Sequence, residues 1–157
     1  MLKGIAAALF SATYILGVSS AAKWSANLSP QNGSKISGTA SIEANGADST
    51  RFTVSVRGAT ADAPLAWHLH TGKCSESGSI VGSETSYPEL RPGTGGTAES
   101  MVTLPVAPPV AGSPFTIQVH KFAKAGGEGA AGAMDTPAKG SKTLVSCGEL
   151  KPVGANP

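Results

Sequence analysis

Two histidines, His68 and His70, stand two residues apart in the alternating run Leu65-Ala66-Trp67-His68-Leu69-His70. On a β-strand that spacing sends both imidazoles to one face and Leu65, Trp67 and Leu69 to the other. The remaining histidine, His120, closes a second alternating run, Phe115-Thr116-Ile117-Gln118-Val119-His120. Imidazole is the commonest protein ligand for copper and zinc, and a pair spaced i,i+2 on a strand meets one ion from the same side. His120 from a second strand would complete a three-nitrogen set, which makes His68, His70 and His120 the candidate metal ligands. His-x-His also arises in strands by chance. The weight here comes from economy, because every histidine of the chain falls at a strand position and none is scattered in a loop. Met101 and Met134 are soft sulfur candidates for Cu(I), of a residue type that ordinarily fills core or loop.

The elements that must position these residues are short strands. Asn32-Gly33 and Asn45-Gly46-Ala47-Asp48 are turn signals that separate alternating segments around Ile36 to Ile42 and Phe52 to Val56, which reads as an antiparallel hairpin. Glu99 to Val106, Phe115 to His120 and Thr143 to Glu149 add further strands. Between Cys74 and Ala98 periodicity lapses, and Ser, Gly, Glu and Pro suggest a long surface loop. A second long loop, Lys121 to Lys142, is too rich in Gly for a stable helix. About seven to eight short strands, two long loops and no convincing amphipathic helix predict an all-β antiparallel sandwich or barrel.

Residues 1–22 have the order of a secretory signal peptide: a cationic Met1-Leu2-Lys3, an apolar run from Gly4 to Val18, and small residues up to Ala22. The run is shorter than the ~20 apolar residues a spanning helix needs, so no membrane anchor is expected in the mature form. Residues 23–150 then form one domain and 151–157 a C-terminal tail, in a secreted, extracellular or periplasmic protein. Removing Lys3 from the 12 basic residues leaves 11 against 10 acidic, a mature charge of about +1. No basic stripe is present, which excludes nucleic acid as a partner. In an oxidising compartment Cys74 and Cys147 are expected to pair, closing a loop of about 73 residues and constraining the unfolded chain by roughly 4 kcal/mol. Two separate buried thiols are the alternative. Asn27 and Asn32 each fit the N-glycosylation pattern, which matters only in a eukaryotic host.

Taken in order, Trp67-His68-Leu69-His70, the nearby Cys74, Ile117-Gln118-Val119-His120 and Gly140-Ser141-Lys142-Thr143-Leu144-Val145-Ser146-Cys147-Gly148 resemble the metal strands and C-terminal segment of copper-zinc superoxide dismutases. The resemblance covers about Lys23 to Leu150. It implies an eight-stranded Greek-key β-barrel, copper on His68, His70 and His120, a Cys74–Cys147 disulfide that anchors the long loop, and a second loop that steers superoxide. The chain also departs from the family. Between Cys74 and Leu104 there is no histidine and no aspartate, so neither the zinc ligands nor the imidazole bridging copper and zinc has a counterpart. The family's acidic residue after the last copper histidine is replaced by Lys124. Leu144 stands where the family carries its superoxide-guiding arginine, and Lys142, two residues back, is the candidate anion guide, without arginine's bidentate fork.

Three imidazoles alone suit trigonal Cu(I) and leave Cu(II) short of its square-planar set, which water could complete. The leading expectation is therefore a secreted superoxide dismutase-like protein with one mononuclear copper site, zinc not expected, acting on superoxide. Two alternatives stand beside it: a non-catalytic protein that binds, stores or delivers copper ion, and a metal-free β-barrel scaffold comparable to chordin-type modules. No nucleophile elbow points to hydrolytic catalysis.

Overall fold

β1 (Lys23–Pro30) buries Trp24, Ala26 and Leu28 and exposes the residues between them, as a strand with one wet face must. The computed structural model describes residues 22–110, 112–122 and 142–154. β2 (Ser37–Ala44) and β3 (Thr50–Arg57) follow the same alternation, β3 turning Thr50, Phe52, Val54 and Val56 inward. β4 (Leu65–Lys73) breaks it: six consecutive residues, Leu65 to His70, are buried, so both of its faces are covered. The remaining strands are β5 (Glu76–Ile80), β6 (Ala98–Leu104), β7 (Phe115–Phe122), β8 (Lys142–Glu149) and β9 (Lys151–Val153).

All pairings are antiparallel, and the strand path runs β5-β4-β7-β8-β1-β2-β3-β6. The chain leaves β3 for β4 and β5, returns in β6 to pair with β3, and then places β7 against β4, which are Greek-key crossings. β1 joins the two halves. Its first six residues pair with β2, while Ser29 and Pro30 pair with Cys147 and Ser146 of β8. The eight-strand path curls so that its inner face closes on one core of Trp24, Leu28, Ile42, Phe52, Val54, Trp67, Leu69, Ile117 and Val119. This is the all-β antiparallel barrel expected from the alternating runs. The sheet also extends past Leu150, because β9 pairs with β1, Val153 opposite Lys23 and Lys151 opposite Ser25.

The segment from Cys74 to Ala98 differs from the long surface loop its composition suggests. Cys74 and Ser75 are the turn of a tight β4–β5 hairpin in which Lys73 faces Glu76. Gly72 has φ +90, and a Cβ there would lie 2.5 Å from the Glu76 carbonyl, so the hairpin requires glycine at this bulge. After a short 3-10 helix (Glu84–Ser86), Tyr87 and Leu90 are buried, and Leu90 exchanges backbone hydrogen bonds with Leu65 at 2.9 Å in both directions. Single buried anchors replace the periodic pattern of a strand, which explains why sequence alternation does not reveal them. Of the second expected loop, residues 123–141 lie outside the described residues, as do Lys124 and Met134. So do residues 1–21 of the expected signal segment.

Cys74 and Cys147 form a disulfide with Cα atoms 5.9 Å apart. It ties the β4–β5 turn to β8 across the intervening β7. Closing 73 residues of chain, it should stabilise the fold by roughly 4 kcal/mol. Urea denaturation with and without reductant should show a lower midpoint for the reduced protein, equivalent to about 2–5 kcal/mol. Equal midpoints would contradict a stabilising bridge.

Candidate metal centre

The β4–β7 register builds the site. Ala66 lies opposite His120, His68 opposite Gln118, and His70 opposite Thr116. Directly opposed residues in an antiparallel pair share a face, so His68, His70 and His120 project together from the side of the sheet away from Trp67 and Leu69. A bulge on β8 at the Val119–His120 step lies beside them and brings Leu144 opposite His120. The turn after β1 supports this irregular stretch, with Gln31 donating its N–H to the Val145 carbonyl at 3.0 Å and Asn32 Nδ2 donating to the Leu144 carbonyl at 3.0 Å.

The three rings form a near-equilateral triangle, with centroids 5.9 Å apart for His68–His70, 5.8 Å for His68–His120 and 5.9 Å for His70–His120. One ring nitrogen from each lies within 4.8 Å of the others. Nitrogens about 2.0–2.1 Å from a shared first-row ion would stand roughly 3.5 Å apart, so modest ring rotation closes the set. The three histidines are therefore close enough to bind one metal ion.

Their hydrogen bonding fits that use. His70 Nδ1 lies 3.1 Å from the Gly78 carbonyl, and a carbonyl only accepts, so Nδ1 carries the proton and Nε2 keeps its lone pair. That Nε2 is buried and has no hydrogen-bond partner among the described residues; the same holds for Nδ1 of His68 and Nδ1 of His120. Three buried, unpartnered ring nitrogens on imidazoles packed this closely are costly unless something polar or cationic meets them. The Gly78 carbonyl belongs to β5, so this hairpin strand, which composition alone did not suggest, supplies the group that orients a ligand imidazole.

Burial, with the charges of Lys142 and His120 adding to it, lowers the pKa of His68 to about 4. Burial, then His70 and Lys142, lowers that of His120 to about 4. Both rings are neutral at pH 7. Tyr87 contributes to this dryness: its buried ring lies 5.3 Å from that of His68 and 5.1 Å from that of Trp67. Burial in turn raises the Tyr87 hydroxyl to about 12.

Lys142, the candidate anion guide, stands on β8 opposite Phe122, and its Nζ lies 5.8 Å from the Phe122 ring centroid. Its ammonium pairs with the Glu84 carboxylate of the 3-10 helix. Its charge reaches both His68 and His120 and is partly offset by Glu84. Sequence spacing singled out Lys142 but gave no signal for Glu84 or Tyr87, which lie in the aperiodic segment. Met101, the sulfur candidate among the described residues, is 67% exposed on β6, across the sheet path from the histidines.

No protein-family model, curated protein or solved structure matches this chain.

The lowered histidine pKa values make a testable link to stability. Between the ordinary value of 6.5 and about 4, the unfolded chain binds protons at His68 and His120 that the folded chain does not. Stability of the metal-free protein should therefore fall as pH drops through that window. Urea midpoints at pH 7 and pH 5 measure this, and the slope should flatten in a His68→Gln/His120→Gln double variant. Parallel slopes for both proteins would contradict the buried, neutral assignment.

Proposed function

We propose that this chain is an exported copper protein resembling the superoxide dismutases, with one mononuclear copper site made by His68, His70 and His120. The observation that carries the proposal is the convergence of three buried or half-buried imidazoles, each with a buried ring nitrogen that has no partner among the described residues. An all-nitrogen imidazole set suits copper, and also zinc, while hard cations such as Mg²⁺ and Ca²⁺ prefer oxygen. The choice of copper over zinc rests on the resemblance of the histidine strands, the Cys74–Cys147 pairing and the Greek-key path to the copper enzymes, and on the fit of three imidazoles to Cu(I). A disulfide favours an oxidising compartment, in keeping with the leader-like N-terminus.

His68 would contribute Nδ1 and His70 Nε2, with a ring nitrogen of His120 as the third donor. Bound copper supplies one-electron exchange, the chemistry by which superoxide is both oxidised and reduced. The chain's own part is to hold two neutral imidazoles dry, fix the third through Gly78, and present a cation beside the site. Lys142 would draw a small anion, with Glu84 damping its field.

A second reading has its own support. His68 is only 4% and His70 9% exposed, and the Lys142–Glu84 pair joins β8 to the 3-10 helix beside them. A site so covered also suits holding or delivering Cu(I) without turnover.

Metal analysis of copper-loaded protein should give one copper per chain, with uptake lost in His68→Ala and His120→Ala. The same sample should consume superoxide faster than free or chelated copper. Full copper uptake without that rate supports holding over dismutation, and uptake unchanged by either substitution removes the three-histidine site. In a protein that does turn over, Glu84→Gln should raise the rate a few-fold at low ionic strength and little at high salt, because it unmasks Lys142. A rate that falls or stays level at low salt would show that Lys142 does not guide the anion.

A further inference from the structure

Among the described residues, the face that carries the histidines also carries Gln118, a polar side chain beside all three. Gln118 lies directly opposite His68, two residues before His120 on the same strand, and diagonal to His70, which faces Thr116. Opposed residues in such a pair have Cβ atoms about 4.5–5.5 Å apart and diagonal ones about 7–8 Å, so a glutamine there can reach the centre of the triangle. Its other neighbours on the face offer no equivalent. Ala66 is apolar, Thr116 is four residues from His120, and Cys147, opposite Gln118 on β8, is locked in the disulfide.

Gln118 is also a residue that the fold alone does not account for. It is 2% exposed, with His68 opposite it on β4 and the disulfide-bonded Cys147 opposite it on β8. Its only side-chain hydrogen bond among the described residues is a long one, from Nε2 to the Thr116 hydroxyl at 3.5 Å. A carboxamide offers two donors and an acceptor with two lone pairs, and burying it so poorly paired is unfavourable by at least about 1–3 kcal/mol. A β-branched apolar residue would pack the same strand position better, as Ile117 and Val119 do on the opposite face. Its carboxamide oxygen accepts no hydrogen bond from the described residues.

We propose that Gln118 supplies the fourth protein ligand of the metal site, its carboxamide oxygen closing the site from the sheet side. This rests on the three-histidine reading above and deepens it. An amide oxygen is a hard, weak donor. It adds to Cu(II), which three imidazoles leave short of ligands, and adds little to Cu(I), which three imidazoles already satisfy. Gln118 thus selects between the two oxidation states and sets the potential of the site.

The test compares wild type with Gln118→Leu and Gln118→Glu, each loaded with one equivalent of copper, after near-UV circular dichroism and thiol titration establish native packing and an intact disulfide. In Gln118→Leu the Cu(II) EPR parameters and d–d absorption should shift, and Cu(II) affinity should fall roughly tenfold while Cu(I) affinity stays within about threefold. The reduction potential should rise. Gln118→Glu, which replaces a neutral oxygen with an anionic one, should move affinity and potential the other way. Cu(II) spectra identical to wild type in both variants, or equal losses of Cu(I) and Cu(II) affinity, would overturn the assignment of Gln118. Those outcomes are seen only in a wild type that binds copper; a wild type that takes up none overturns the three-histidine site itself.

Discussion

The site depends on the pairing register of β4 with β7. With Ala66 opposite His120 and His68 opposite Gln118, three imidazoles share a face. A slip of one residue would send His120 into the core and Val119 out, because side chains alternate with a period of two. The register is enforced from the other face, where Trp67 and Leu69 pack with Ile117 and Val119, all fully buried. The hydrophobic core and the metal face are two sides of the same constraint, and changes that loosen the first are felt at the second.

Around this pair the chain supplies what a metal face needs in a small protein. The disulfide binds the β4–β5 turn to β8, so β4, β7 and β8 are joined covalently as well as by their ladders. β5 places the Gly78 carbonyl on His70 Nδ1 and so fixes which nitrogen faces inward. Tyr87 bridges the two faces of β4, with its ring against both Trp67 and His68, and excludes water from the edge of the strand. The result is a dry set of imidazoles, His68 and His120 among them neutral, with the charged pair Lys142 and Glu84 beside it. Dryness suits retention of a soft ion, and the charged pair sets the local field at His68 and His120.

Much of this is legible in the sequence, for definite reasons. The alternation around His68 and His70 states both their strand and their shared face, because a period of two is a local property. That His120 joins them is a long-range fact. The runs give two strands, but only register and Greek-key order make them neighbours. The segment after Cys74 is the least legible part. Glu-Ser-Gly-Ser-Ile has little strand propensity, and Tyr87 and Leu90 are isolated anchors whose burial depends on gaps left by other strands. Gln118 is hidden for a different reason: it takes an ordinary place in an alternating run, and only its burial beside the histidines makes it unusual.

The central claim is that one copper ion is held by His68, His70 and His120. X-ray absorption of the protein loaded with one equivalent of Cu(I) reads the ligand set directly. The account predicts a first shell of three nitrogen donors near 2.0 Å with the outer-shell scattering of three imidazoles and no sulfur. A sulfur-containing first shell, or scattering from fewer than three imidazoles, would contradict it.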